Sequence, residues 1–333
     1  MIMLYIYNPS TDPYFNMACE EYLLKEFESP KPIFMLWQNS PAIIIGKNQN
    51  TLEEININYV KREGIAVVRR LSGGGAVYHD KGNLNFTFIT QYDSSFFDSL
   101  DLFTRPVIGV LKQLGIDARL RGRNDISIDD QKFSGNSQTV CGSRILHHGT
   151  IMLDVNTDVL SGALRVSEAK IQSKGIKSVR RRVTNVNAHL SRPVAPKEFA
   201  DMLRNYMARE NSLEDYSFTE EDLQRINRLK DSKYATYQWN YGSSPDYTFT
   251  KQIKTDAGLL RFSFDVHEAV IRAASVTGDF FGSHDISAGE EKLTGIPFTK
   301  EAILEALLSV DMEKYIWSLT KDQLPGPTDK LFE

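Results

Sequence analysis

Residues 69–88 read RRLSGGGAVYHDKGNLNFTF: two arginines, three consecutive glycines, a His-Asp pair and two asparagines within a stretch otherwise fit for strands. The preceding IAVVRRLS is apolar and β-branched, so it reads as a buried strand whose end delivers the glycines. Beyond them, GAVYH and LNFTFIT flank the turn DKGN and read as a hairpin. Glycine loses more backbone freedom on ordering than any other residue, so something should lie close against Gly73, Gly74 and Gly75. A Walker A loop is excluded because no lysine follows Gly75 in the required place. A dinucleotide fingerprint is excluded because Tyr78 stands where its third glycine belongs. What remains is a strand end with Arg70 and Ser72 followed by unhindered amides, able to cradle an anion or a ligand chain. A plain turn has no need of both Arg69 and Arg70.

Working outward, MIMLYIYN is a strand, and TDPYFNMACEEYLLKEF is a helix with Asp12 as N-cap and Pro13 in its first position. PIFMLWQN and AIIIGKNQN read as paired strands, and TLEEININYVKREG as a helix opened by a Thr51–Glu54 capping box. A helix follows Pro106, NDISID and KFSGNSQ form strands around DDQ, and RILHHGTIMLDV is a further strand. Strands joined by short turns, without regular βαβ alternation, predict an α+β fold with a mixed, mainly antiparallel sheet flanked by helices. The turn-rich WNYGSSPDYTF marks a domain boundary, giving residues 1–248 and a small α/β domain at 249–333. There, GLLRFSFDV alternates as a half-buried strand, AVIRAASVTG pairs with it, and TKEAILEALLSV is an amphipathic helix.

At 333 residues the chain exceeds the usual size of one core, and 41% hydrophobic with 25% charged residues is ordinary globular composition. The formal net charge of −4 argues against a general nucleic-acid binder yet permits a local basic site. Two cysteines, Cys19 and Cys141, make no disulfide framework. With no basic leader and no apolar run long enough to span a bilayer, a soluble cytoplasmic protein is expected.

A second cluster, GRNDISIDDQKFSGNSQ (122–138), offers Asn124 and Asp125 for a hydrated Mg²⁺ and Lys132 on the next strand, with Ser134 and Gly135 behind it. Taken alone, Asp125 and Lys132 are a solvated surface pair. In HHGT, Gly149 inside a strand marks a bulge or a close approach. His147 and His148 are adjacent and so face opposite sides of a strand, which disfavours a zinc site. The basic segment Lys174, Lys177, Arg180, Arg181, Arg182 is a solvated loop or a flap closing over phosphates.

Together RRLSGGGAVYHDKGNLNFTF, GRNDISIDDQKFSGNSQ, HHGTIMLDV and KGIKSVRRRVTNV resemble, in order, the motifs of the lipoate-protein ligase family, and LWQNSPAIIIGKNQN and WNYGSSPDYTF agree as well. The resemblance spans about residues 4–250, with the rest more loosely similar to that family's accessory domain. It implies a sheet shared with biotin-protein ligases and class II synthetases. It also implies ATP- and Mg²⁺-dependent conversion of lipoate to lipoyl-AMP, followed by transfer to a lysine of lipoyl domains. The acceptors implied are 2-oxoacid dehydrogenase E2 subunits or the glycine cleavage H protein, the enzyme acting as a monomer.

By the same resemblance Lys132 is catalytic. Arg70, Gly75, Ala76, Val77, Tyr78, Asn83, Asp125, Gly149, Thr150, Lys174 and Arg182 receive ATP or the adenylate, and Trp37, Ser72, Gly73, Gly74, Gly135 and His148 line the lipoyl site. Trp37 reads equally as a core residue. Two other readings stay open at this point. One is an ATP-independent acyltransferase with Cys141 as nucleophile; the other is a non-catalytic protein that binds lipoyl domains.

Overall fold

A computed structural model describes residues 2–92, 100–122, 124–164, 183–241, 249–267 and 270–332. The chain divides into two compact units, Met1–Ile45, Thr51–Arg69 and Ala76–Asn240 in the first, Gly46–Asn50, Arg70–Gly75 and Tyr241–Glu333 in the second.

The first unit is built on an eight-stranded sheet among the described residues. Its strands are β1 (Ile2–Tyr7), β2 (Ile33–Trp37), β6 (Asn83–Gln91), β7 (Arg119–Arg121), β8 (Asp125–Ile128), β9 (Gln131–Cys141), β10 (Arg144–Met152) and β11 (Ser212–Asp215). The order is β11-β1-β2-β6-β10-β9-β8-β7, parallel around β1 and antiparallel elsewhere, which agrees with the expected mixed sheet. A smaller sheet, β4-β3-β5, contains β3 (Ala42–Ile45), β4 (Ala66–Arg69) and β5 (Val77–His79).

Two expected pairings therefore fail. β2 pairs with β1 and β6 while β3 pairs with β4 and β5, and β5 joins β3 rather than forming a hairpin with β6. Local turn signals name a change of direction but not the strand's partner, and the buried all-apolar β2 and β3 find better cover apart. The expected helix at 51–64 is two short ones, α2 (Thr51–Glu54) and α3 (Ile57–Arg62), because Ile55 bridges to Leu164 and Asn56 caps the second. Thr51 spends its hydroxyl on the Asn240 carbonyl instead of on a capping box.

Helix α1 (Pro13–Lys25) starts as its sequence dictates, with the Asp12 carboxylate accepting from Tyr14 N. It packs on one face of the large sheet and delivers Glu20 there. The opposite face carries Phe34, Phe86, Phe88 and His147, closed by Phe103 of α4 (Leu100–Gln113).

In the second unit, β12 (Phe249–Thr255), β13 (Gly258–His267) and β14 (Val270–Gly278) form an antiparallel sheet. Its inner residues Ile253, Leu260, Phe262, Phe264 and Val276 pack with Phe280, Leu293, Ile303, Leu307 and Leu331. The helix Lys300–Leu308 is capped by Thr299.

Candidate functional site

The β8–β9 hairpin turns on Asp129 (φ 46°) and Asp130 (φ 66°), both left-handed, the conformation a two-residue hairpin loop of the primed type requires. Aspartate tolerates it better than most residues. The turn sets Ser127 opposite Lys132, and a register shift follows, so that Asp125 faces Gly135. Such a bulge re-aims side chains. Here Lys132 Nζ comes to 2.7 Å from Asp125 Oδ1. Gly135 makes the space: a Cβ there would lie 2.8 Å from that ammonium and 3.0 Å from Cε. Both partners keep some exposure, 32% and 24%, and a pair in that setting contributes little stability, at most about 1 kcal/mol. Its geometry asks for a chemical reason.

Next to this pair runs a polar strip on the α1 face of the sheet. On β6, Asn83, Asn85 and Thr87 alternate with the core residues Leu84, Phe86 and Phe88. Asn85 is in register with Trp37 on β2 and Thr150 on β10, and Thr150 Oγ1 accepts from Gly135 N at 3.0 Å. Trp37 Nε1 donates to Thr87 Oγ1 (2.9 Å), which donates to Glu20 Oε1 (2.6 Å). His148 Nδ1 lies 2.9 and 3.0 Å from the two Glu20 oxygens. Asn83 Nδ2 donates to Asn85 Oδ1 (2.8 Å), while Asn83 Oδ1 and Asn85 Nδ2 have no partner among the described residues. Both side chains are buried, and each unmet group costs about 1–3 kcal/mol.

The two adjacent histidines part as strand geometry requires. His147 lies on the opposite face, fully buried, stacked between Phe86 and Phe103, with Nδ1 facing Gln138 Nε2 (3.1 Å) and Nε2 facing Asn136 Oδ1 (3.2 Å). Burial, with a smaller contribution from the charge of His148, holds its pKa well below the ordinary value, so it stays neutral. Gly149 shares that face: a Cβ would strike the Phe86 ring at 2.3 Å and Asn136 Oδ1 at 2.4 Å. Core packing is thus what requires a glycine there. No cluster of three metal-binding side chains exists among the described residues. Asn124 gives its side-chain amide to Asn136 O at 2.7 Å.

The glycine loop belongs by its contacts to the second unit. Gly74 (φ +89°) has a backbone that L side chains rarely adopt, and a Cβ on Gly73 would meet Phe280 O at 2.2 Å. The Arg70 guanidinium turns inward, donating to Gly73 O (2.5 Å), Gly75 O (2.9 Å) and Ser72 Oγ (3.1 Å). Gly75 has open space around its missing Cβ. In the first unit Arg69 is a structural cation: it donates to Trp239 O, Asn240 O and Thr51 Oγ1, and burial pulls its pKa down to about 10. Two arginines in sequence thus have separate duties, and the pairing that favoured an anion site rests on Arg70 alone.

In β5, Tyr78 is buried, its phenol pushed up to about 12 by that burial; Ala76 and Val77 are half-buried. Beyond it His79 sits edge-on to Trp37. Lys174 and Arg182, and with them the expected flap, lie outside the described residues. Cys141 ends β9 nine residues beyond Lys132, on the order of 30 Å along the strand. No nucleophile so placed serves the Lys132 site. Glu20, Asn85, Thr87 and Asn136 escaped the sequence reading. The signal for two of them was present in the polar alternation of NLNFTF, since polar residues facing a buried helix have no generic reason to be there.

The chain matches the description "Lipoyl protein ligase A/B catalytic domain" over residues 12–208 and "Bacterial lipoate protein ligase C-terminus" over 244–325. It is 43% identical to lipoate-protein ligase 1 of Staphylococcus aureus over 317 residues, covering 95% of this chain and 97% of that protein. An archaeal bipartite lipoate-protein ligase from Thermoplasma acidophilum, described with its E2 lipoyl domain, superimposes with a TM-score of 0.64 at 30% identity, covering 74% of this chain and 98% of that one. A crystal structure of lipoate-protein ligase A bound with ATP gives a TM-score of 0.62 at 27% identity, over 73% and 99% of the two chains.

Proposed function

Since the chain belongs to the lipoate-protein ligase family, we propose that it activates lipoate with ATP and transfers the lipoyl group to a lysine of a lipoyl domain. In the first half-reaction a carboxylate oxygen attacks the α-phosphorus of ATP. A C–O–P mixed anhydride forms, and the bond to pyrophosphate breaks. Two anions must meet for this to happen, so a fixed positive charge aimed at the developing charge supplies the largest catalytic effect. The Lys132 ammonium, held by Asp125 over the bare backbone of Gly135, is the observation that carries the reading. Asp125 aligns the ammonium and leaves it able to turn to a stronger anion.

In the second half-reaction a neutral acceptor amine attacks the acyl carbon, AMP departs with the former anhydride oxygen, and the amine nitrogen releases its proton to form the amide. In both half-reactions the strip from Thr150 to Trp37 receives the acyl group, its head toward Lys132 and its apolar tail against the indole. Glu20 and Thr87 keep Trp37 and His148 in fixed orientations. Asp125 suits Mg²⁺, which takes few protein oxygens and lets phosphate and water supply the rest, and the unpaired Asn83 Oδ1 is left to face the nucleotide. When bound, that ion would neutralise phosphate charge. E2 lipoyl domains and the H protein are the acceptors proposed.

No helix among the described residues is long and apolar enough to cross a membrane. The test is lipoate-dependent pyrophosphate release from ATP, followed by mass gain of a lipoyl domain. Release and mass gain that persist in Cys141→Ser support the ligase. Acyl transfer that needs no ATP and collapses in Cys141→Ser would replace it with the thioester route.

A further inference from the structure

Asn85 has no part in the chemistry above, although it occupies the middle of the strip. On β6 the side chains of Asn83, Asn85 and Thr87 point the same way, each about 7 Å from the next. Thr87 is hydrogen-bonded to Trp37, at the proposed acyl tail; Asn83 carries the acceptor proposed to face the nucleotide. Across the sheet, Asn85 stands beside Thr150, which stands beside Gly135 and so beside the Lys132 ammonium. Both directions lead to the same place: Asn85 lies where tail and nucleotide must join. Its Oδ1 is fixed by Asn83 Nδ2, so its Nδ2 is the group presented, a buried donor with no partner among the described residues.

We propose that Asn85 Nδ2 donates a hydrogen bond to the acyl oxygen of the lipoyl adenylate, making Asn85 a catalytic residue of the transfer half-reaction. This rests on the ligase reading. The oxygen it contacts begins as the non-attacking oxygen of the lipoate carboxylate and becomes the carbonyl oxygen of the anhydride. It gains negative charge again as the lysine amine adds to the acyl carbon, and returns to a carbonyl as the C–O bond to AMP breaks. A preformed donor at that oxygen is worth on the order of 10²–10³ in the rate of transfer.

The variant Asn85→Leu removes the donor at nearly constant volume. It is expected to slow transfer from separately supplied lipoyl-AMP by a factor of about 10² or more, with a much smaller change in pyrophosphate release and KM for ATP unchanged. Should it not fold, Asn85→Ser, whose shorter hydroxyl falls short of the oxygen, carries the same expectation. A transfer rate within threefold of the parent protein overturns the assignment. So does a raised KM for ATP with normal transfer, which would make Asn85 a nucleotide contact. A loss matched by the fraction unfolded, with normal turnover per folded molecule, makes it structural and overturns it too. The parent protein is the control: if it releases no pyrophosphate with lipoate and ATP, the ligase reading itself falls, whereas a normal parent with an unaffected variant removes only Asn85.

Discussion

Two polar regions of this chain look alike in sequence and differ in structure. The strip on β6, β10, β9 and β8 keeps groups unmet: Asn83 Oδ1 and Asn85 Nδ2 are buried without partners among the described residues, and Lys132 holds a pair of little stabilising value. The glycine loop at 70–75 is bonded largely to its own chain: Arg70 is turned onto Gly73 O and Gly75 O, and Gly73 lies against Phe280. Unmet hydrogen-bonding capacity in the first is the ground on which it is proposed as the ligand site. In the second, two of the three glycines have reasons within the protein, one a close approach and one a positive φ.

Substitutions put that contrast to the test. Lys132→Ala should lower lipoate-dependent pyrophosphate release by on the order of 10³ with little change in Tm, since the side chain is partly exposed and its pair contributes little. A Tm loss matching the activity loss would make the strip structural. Gly149→Ala should instead cost about 1–3 kcal/mol of stability, because the added carbon meets the Phe86 ring and Asn136. Thermal or urea unfolding reads this directly, and an unchanged midpoint would contradict the packing described.

Within the loop, Gly73→Ala should destabilise, having only backbone to collide with, while Gly75→Ala should leave the unfolding midpoint within about 0.5 kcal/mol of the parent. Equal effects would erase the distinction between the two glycines. The smallest expected effect concerns acid. The folded pKa of His147 lies below its ordinary 6.5, so the unfolded chain binds the proton more readily. This contribution is full above about pH 6.5 and is lost as pH falls below it, by no more than about 1.4 kcal/mol per pH unit. His147→Gln should flatten that slope in unfolding curves recorded between pH 7 and about pH 5.

Where structure is set by neighbours in sequence, it was legible. Asp12 with Pro13 starts α1, the two aspartates turn the β8–β9 hairpin, and Thr299 starts its helix. Strand partners were not, since turns between β2 and β3 and between β5 and β6 say nothing of which sheet each strand enters. The Asp125–Lys132 pair was readable because one hairpin carries both. Glu20 was not: a glutamate on an amphipathic helix is ordinarily solvated, and its partner His148 lies 128 positions away.

The most direct test is a crystal structure with a non-hydrolysable lipoyl-adenylate analogue. The acyl–phosphate linkage is expected within about 3 Å of Lys132 Nζ, with the acyl tail running along the strip toward Trp37. A nucleotide bound away from that ammonium, with Lys132 still paired to Asp125, would contradict it.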